Sequence, residues 1–331
     1  MKLITARLKS NVTPIGEPGV TSGDTHNKTF SKAPCNASDE VLGIVNKEQT
    51  HMAVIHGFGL DSESDSSLYS ILDSNFEFQN MLDLITRITP QQFDKLSNAD
   101  FSKAKEVYAL SDIEFLAPIP NPKHDIICLG VNYADHAAEL GNEVSPVPVF
   151  FGKRAATTTG HLGTLDGHLE VDEFLDYEVE LAVIIGKKAK KIKPEEAENY
   201  IFGYTVFNDF TLRMLQREHK QWFLGKGADG FTTMGPWIVT KDELSMPFSL
   251  NLTSRVNGEV RQSSNTDLMI HSIQDAISKL SQNITLYPGD IIATGTPSGV
   301  GMGFDPPRML KKGDTVECEV QGIGVLRNTI T

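Results

Sequence analysis

Short apolar runs bounded by Gly, Pro, Asn and Asp dominate the chain, and most carry the pattern of strands. LITARL near the N-terminus, MAVIHGF (52–58), HDIICLGVN (124–132), PVFFGK (148–153), LDYEVELAVIIGKK (175–188) and IFGYTVFNDFT (201–211) read this way. FTTMGPWIVT, SLNLTSRVNGEVRQ, GDIIATGTP and DTVECEVQGIGVLRNTI add more, and the Asn-Gly of VNGEV signals a tight hairpin. Helical periodicity is confined to LYSILDSNFEFQNMLDLITRI (68–88), PQQFDKLSNA after it, YADHAAELG (133–141), PEEAENY (194–200) and LMIHSIQDAISKLSQ (268–282). YADHAAELG stops at a capping Gly; PEEAENY opens with Pro and two acids, as a helix start does. Many strands, few helices and no regular βαβ alternation predict a β-rich α+β protein with a mixed or antiparallel sheet.

Three prolines in APIPNPK (117–123) mark a junction. They predict a small N-terminal accessory domain over 1–118 and a catalytic domain over 119–331. Residues 11–40, rich in Thr, Ser, Gly, Pro and Asn, read as a long loop or an insertion.

Composition narrows the partners. The 331 residues carry a formal net charge of -13, which argues against nucleic acid and anionic membrane. The local lysines 187, 188, 190, 191 and 193 follow a strand-like run and read as a solvated turn. Cys35, Cys128 and Cys318 are far apart and fit no zinc spacing, which suits a reducing compartment. No apolar run reaches the roughly 20 residues of a membrane helix. A cytoplasmic protein is expected, with the mitochondrial matrix the other address if it is eukaryotic; MKLITARLKS reads as a strand before a presequence. GVGMG (299–303) and GKGADG (225–230) do not sit in a βαβ unit, and TGTPSG lacks the Lys of a phosphate loop, so nucleotide binding is not expected.

The chemistry lies in five short stretches. In DYEVELAVIIG (176–186) strand alternation puts Asp176, Glu178 and Glu180 on one face, with neighbours about 6.5 Å apart at Cα. Half-buried carboxylates so close repel each other and resist desolvation, and a divalent cation between them removes both penalties. An all-oxygen ligand set suits Mg²⁺, Mn²⁺ or Ca²⁺; the plainer alternative is a strand with one wet face. VFNDFT (206–211) ends an apolar run with Asn208 and Asp209, a third carboxylate or a simple turn. His136 and Glu139 in NYADHAAE share one helix face, as an oriented acid–base dyad or an exposed pair. Lys226 stands between glycines in WFLGKGADGF, and Thr294, Gly295 and Thr296 in GDIIATGTPSGVG offer N–H groups and hydroxyls to a carboxylate.

Taken together and in this order, NYADHAAE, DYEVELAVIIG, the Asn-Asp of VFNDFT, FLGKGAD and GDIIATGTPSGVG resemble the fumarylacetoacetate hydrolase family over about 119–331. VNGEVRQSSNTDLMIHS and LKKGD look closest to the branch that holds acylpyruvate hydrolases, oxaloacetate decarboxylases and oxaloacetate tautomerases. The resemblance implies a mixed β-roll, usually a homodimer, with Glu178, Glu180 and Asp209 as ligands of Mg²⁺. It implies catalytic roles for His136, Glu139 and Lys226, and substrate contacts from Gln216, Gly295, Thr296, Tyr133 and Arg213. The implied reaction is cleavage of a 2-oxo acid, namely hydrolysis of the C–C bond of a 2,4-diketo acid, with oxaloacetate decarboxylation or keto–enol isomerisation as the alternative. A non-catalytic metal-binding protein on the same fold is the remote reading. Two departures stand out: Met214 replaces the acid of the family's S-A-R-D, and Val131 stands where many members have Arg.

Overall fold

A computed structural model describes residues 1–10, 12, 40–57, 78–100, 104 and 106–331. Two compact units divide the chain, Met1–Glu114 and Phe115–Thr331. In the first, β1 (Lys2–Leu8), β2 (Glu40–Val45), β3 (His51–Gly57) and β4 (Val107–Ala109) form an antiparallel sheet in the order β4–β3–β2–β1. LITARL and MAVIHG are strands, as their patterns predict. Two short helices lie between β3 and β4 in the chain, α1 (Met81–Arg87) and α2 (Pro90–Ser97). The helix expected over 68–88 is described only from Met81, where the Asn80 side chain accepts from Asp83 N–H; residues 68–77 lie outside the described ones. Thr89 and Gln92 form a capping box at α2, with Pro90 in the first turn. The loop expected over 11–40 also lies outside the described residues, Val12 and Glu40 apart. β5 (Ile113–Phe115) spans the boundary between the units.

The second unit opens with β6 (Ile126–Gly130), α3 (Ala134–Glu139), β7 (Val149–Lys153) and the short β8 (Thr158–Thr159), β9 (Thr164–Leu165) and β10 (Leu175–Asp176). Then come β11 (Val179–Ile185), β12 (Ile201–Asp209), β13 (Thr211–Leu212), α4 (Arg213–Glu218), α5 (Phe223–Lys226) and β14 (Thr232–Thr240). β15 (Asn251–Val256), β16 (Glu259–Asn265), α6 (Ile273–Asn283), β17 (Ile291–Ala293), β18 (Thr315–Val320) and β19 (Gly324–Ile330) complete it. Its larger sheet runs β14–β12–β11–β17–β6–β7, and the other runs β16–β15–β18–β19–β9. β11 and β12 pack against β15, β18 and β19, so the core lies between the sheets. Parallel pairs (β17 with β6, β19 with β9) sit among antiparallel ones, which is the mixed β-rich architecture expected. Cys128 and Cys318 are buried free thiols, and Cys35 lies outside the described residues.

Three expectations about elements change. LDYEVELAVIIGKK is not one long strand: Leu175 and Asp176 pair with β13, while Val179–Ile185 pairs with β12 and β17. At the break Glu178 N–H donates to the Asn208 side chain, and Asp209 N–H donates to Glu178 C=O. Alternation does not separate a wet from a dry face, because β11 is buried throughout. PEEAENY is a 3₁₀ helix (Pro194–Tyr200). The helix read over 268–282 begins at Ile273, because the Ser272 hydroxyl caps it by accepting from Asp275 N–H. VNGEV is a tight hairpin, with Asn257 at φ 52 and Gly258 at φ 83, both left-handed as a type I′ turn requires. The five lysines after β11 all lie at the surface, as a solvated turn would have them.

His161 gives this unit a pH dependence. Its Nδ1 accepts from Arg327 N–H at 3.1 Å, and its ring meets Phe115 edge-on at 4.8 Å. Burial, then the Arg327 charge, push its pKa down to about 4. The unfolded chain therefore binds the proton first, so stability is complete above about pH 6.5 and is lost as pH falls toward 4. The thermal midpoint is expected to drop between pH 7 and pH 5, and His161→Asn, which keeps an acceptor but cannot charge, flattens that slope. Equal slopes in the two proteins would remove His161 from the account.

Candidate metal centre and active site

Three acids meet where β11 and β12 lie side by side. Glu178 precedes β11, Glu180 is its second residue, and Asp209 ends β12. One carboxylate oxygen from each lies within 4.8 Å of the others, and all three residues are buried. The spacing seen in the sequence is thus realised in space, through the strand break rather than along one ladder.

Buried cations surround them. Lys226 Nζ donates to Glu178 Oε2 at 2.7 Å, Asp209 Oδ2 at 2.6 Å and Thr211 Oγ1 at 3.0 Å. Arg213 Nη1 lies 2.8 Å from Glu178 Oε1, and Arg213 Nε donates to Asp176 Oδ2 at 2.8 Å. Lys153, fully buried, sits 2.7 Å from Asp209 Oδ1 and donates to the carbonyls of Phe210 and Lys226. Burial would raise Glu178, but the charges of Lys226, Arg213 and His136 outweigh it and hold the carboxyl at about 2. Burial opposes the charge on Lys226 and Arg213, yet the neighbouring acids keep both protonated. Glu180 differs. Burial, then Asp209 and Glu178, push it well up, and the hydrogen bond described for its carboxylate is the one from Gly295 N–H at 2.8 Å. Three buried carboxylates with one left short of positive charge fit a divalent cation, and the all-oxygen donor set suits Mg²⁺ or Mn²⁺.

A cavity of about 240 Å³ opens onto this centre. Glu178, Glu180, His136, Lys226, Arg213, Gln216 and Thr296 all line it. His136 Nδ1 lies 3.2 Å from Glu139 Oε2, and Glu139 Oε1 accepts from Gly299 N–H at 2.8 Å. The dyad is therefore an anchored pair, His136 buried and Glu139 partly so, rather than an exposed one. Gly303 makes room for it, since a Cβ there would collide with the Glu139 carboxyl.

Other candidates sit differently from the sequence expectation. Tyr133 does not line the cavity; its side chain is fully buried. Gly295 reaches Glu180 rather than the open space. The Thr296 hydroxyl donates to Val179 C=O and accepts from Gln262 Nε2, so it ties the turn to β11. Lys226 and Arg213 direct their charges at the acids.

Four further residues escaped sequence reasoning. Lys153 looks like the end of an ordinary strand. Asp176 holds Arg213 and accepts from Gly301 and Met302 N–H. Asp172 accepts from Met214 and Leu215 N–H at the start of α4, supplying an acid there although residue 214 is Met. Gln262 joins Val179 N–H to Thr296 and Pro297. Only Asp176 carried a signal, as the neighbour of Glu178 and Glu180 on the same predicted face.

The profile of the fumarylacetoacetate (FAA) hydrolase C-terminal family matches residues 125–331. The chain belongs to the fumarylacetoacetate hydrolase family. The oxaloacetate tautomerase YisK of Bacillus subtilis is 49% identical to it over 226 residues, covering 68% of this chain and 75% of that one. A fumarylacetoacetate hydrolase from psychrophilic Exiguobacterium antarcticum superposes with a TM-score of 0.72 at 35% identity, over 88% of this chain and 95% of its own. A fumarylpyruvate hydrolase from Pseudomonas aeruginosa, solved with Mn²⁺ and pyruvate, gives 0.57 at 32% identity, over 63% and 89%. The family is enzymatic and its fold is the β-rich one described. Among the described residues no helix is long and apolar enough to cross a membrane.

The metal reading makes an opposite-sign expectation for one variant. Glu180→Gln removes the penalty that burial and the neighbouring acids place on this carboxyl, so the metal-free protein is expected to melt higher than wild type. Mg²⁺ or Mn²⁺ is expected to raise the wild-type midpoint and to leave the variant's almost unmoved. A full metal-induced shift in Glu180→Gln, read by calorimetry, would take Glu180 out of the ligand set.

Proposed function

We propose that the protein is a divalent-metal-dependent enzyme acting on a 2-oxo acid, and that its reaction is keto–enol tautomerisation of oxaloacetate. The observation that carries the first part is the buried triad Glu178, Glu180 and Asp209 beside a cavity shared with the His136–Glu139 dyad. The second part draws on the 49% identity to an oxaloacetate tautomerase.

Glu178, Glu180 and Asp209 would hold Mg²⁺, with Mn²⁺ as the other candidate. That ion supplies Lewis-acid stabilisation of negative charge developing on the 2-oxo oxygen. The remaining work falls to the chain's own groups. Glu139 accepts from His136 Nδ1–H, which leaves Nε2 unprotonated as a base at C3 of the substrate. His136 takes the C3 proton from the keto form and gives it to the 2-oxo oxygen, which leaves the enol and a neutral ring; in the reverse direction it takes the enol O–H proton and returns it to C3. Arg213 fixes Gln216 by donating to its Oε1 at 3.1 Å, which leaves the amide N–H groups for a substrate oxygen. Lys226, Arg213 and Lys153 hold the acids in place.

A second reading is C–C hydrolysis of a 2,4-diketo acid, and the likeness to the fumarylpyruvate hydrolase favours it. There His136 would deprotonate a water that attacks C4; the C3–C4 bond breaks with its electron pair on the pyruvate fragment, and that enolate takes up at C3 the proton held by His136.

Freshly dissolved enol oxaloacetate and acetylpyruvate, followed by NMR with Mg²⁺, separate the two. The expected result is enol–keto relaxation of oxaloacetate far above the buffer rate, abolished by EDTA. Acetate and pyruvate from acetylpyruvate, at the higher kcat/KM, would select cleavage instead. No EDTA-sensitive turnover of either would overturn both. His136→Ala is expected to lower kcat by roughly 10²- to 10⁴-fold while the Mg²⁺-induced thermal shift persists; full turnover in that variant would end the role of the dyad.

A further inference from the structure

Arg217 has no part in the chemistry above, yet it lines the same cavity. It follows Arg213 by four residues on α4, so the two share a helix face. Guanidiniums at that spacing repel each other, which a helix surface normally avoids. Arg213 is neutralised by Asp176 and Glu178, and Lys226 by Glu178 and Asp209. No acid among the described residues pairs with the Arg217 side chain. A solvated surface arginine would explain its exposure, but not its place in the wall of a cavity already rich in cations.

The charges around the centre say what it lacks. Lys226 and Arg213 are already paired with Glu178, Asp209 and Asp176, so neither is left for a substrate carboxylate. A divalent cation held by the triad would meet one carboxylate of the substrate. A second carboxylate on the substrate is left to Arg217. The neighbouring wall is aromatic: Trp222 is seated over Gly130, where a Cβ would collide with its ring, and stands edge-on to Phe151 at 4.9 Å. Four helical residues displace Arg217 from Arg213 by about 6 Å along the axis, the scale of a short dicarboxylate.

We infer that Arg217 is the specificity-determining residue that receives the distal carboxylate of a dicarboxylic 2-oxo acid, so the site selects dicarboxylic over neutral acyl substrates. This rests on the 2-oxo acid reading, with the near end of the substrate held at the metal centre. Arg217 pairs through a charge-assisted hydrogen bond, strongest when bidentate, and acts on binding rather than on proton transfer.

The test compares wild type, Arg217→Gln and Arg217→Lys, each loaded with Mg²⁺. Two readouts are taken: KM and kcat for oxaloacetate and acetylpyruvate, and calorimetric Kd for oxaloacetate and pyruvate. Arg217→Gln is expected to raise KM and Kd for oxaloacetate roughly 10- to 100-fold, far more than for the monocarboxylates, with kcat little altered. Arg217→Lys recovers a large part of the loss. An equal effect on mono- and dicarboxylates, or none on oxaloacetate, overturns the inference. Failure of the underlying reading looks different: wild type then turns over neither substrate, while the ratio of the two Kd values still decides whether Arg217 senses the second carboxylate.

Discussion

Everything at the centre of the second unit follows from placing three carboxylates inside it. Each buried ion loses several kcal/mol of hydration, and the loss is recovered only if counter-charges and N–H groups meet it closely. Glu178 and Asp209 are met by Lys226, Arg213 and Lys153. Glu180 is met by one backbone N–H and is forced upward. A protein selected for stability alone would replace such a cluster with apolar side chains of similar volume. The asymmetry is intelligible if the third acid is kept for an ion that arrives from outside.

The strands are arranged to serve this. β11 and β12 are adjacent and buried on both faces, so their ends are rigid, and the break before β11 turns Glu178 toward Asp209. Asn208 fills the gap in the ladder through its side chain. The turn after β17 brings Gly295 N–H to Glu180 and anchors Thr296 to Val179 C=O. Gln262, reaching from the other sheet, ties that turn to β11. The centre is therefore held by main chain and by amides, which have few ways to relax.

The sequence exposes those parts of this that depend on spacing along the chain. Glu178 and Glu180 are close neighbours in a run, His136 and Glu139 share a helical turn, and Asn-Gly makes its hairpin locally; each survives in the structure. It conceals what depends on register between distant segments. Lys153 is paired with Asp209 only because β7, α5 and the end of β12 converge. Asp172 and Asp176 act on α4 and on the 3₁₀ turn Gly301–Gly303, contacts set by the short β10–β13 pair that no periodicity signals. Tyr133 shows the converse: a motif neighbour of His136 whose side chain is packed into the core.

That contrast also bears on how one family supports several reactions. The triad lies on strand ends, and the dyad lies on a helix anchored by Gly299 and Ser298, where small shifts are resisted. Part of the cavity wall comes from α4 and α5, two short helices of six and four residues whose outer positions, among them Phe223 and Leu224, are solvent-exposed. On the reading proposed above, a change at Gln216, Arg217 or Trp222 would alter the charge and length of what the cavity accepts while leaving the three acids in place. Proton transfer at C3 and attack at C4 need the same base and the same electrophilic assistance, and differ in whether a water can be admitted beside the substrate. On the proposed reading, the wall built from α4 and α5, rather than the metal centre, is where tautomerisation and cleavage would part.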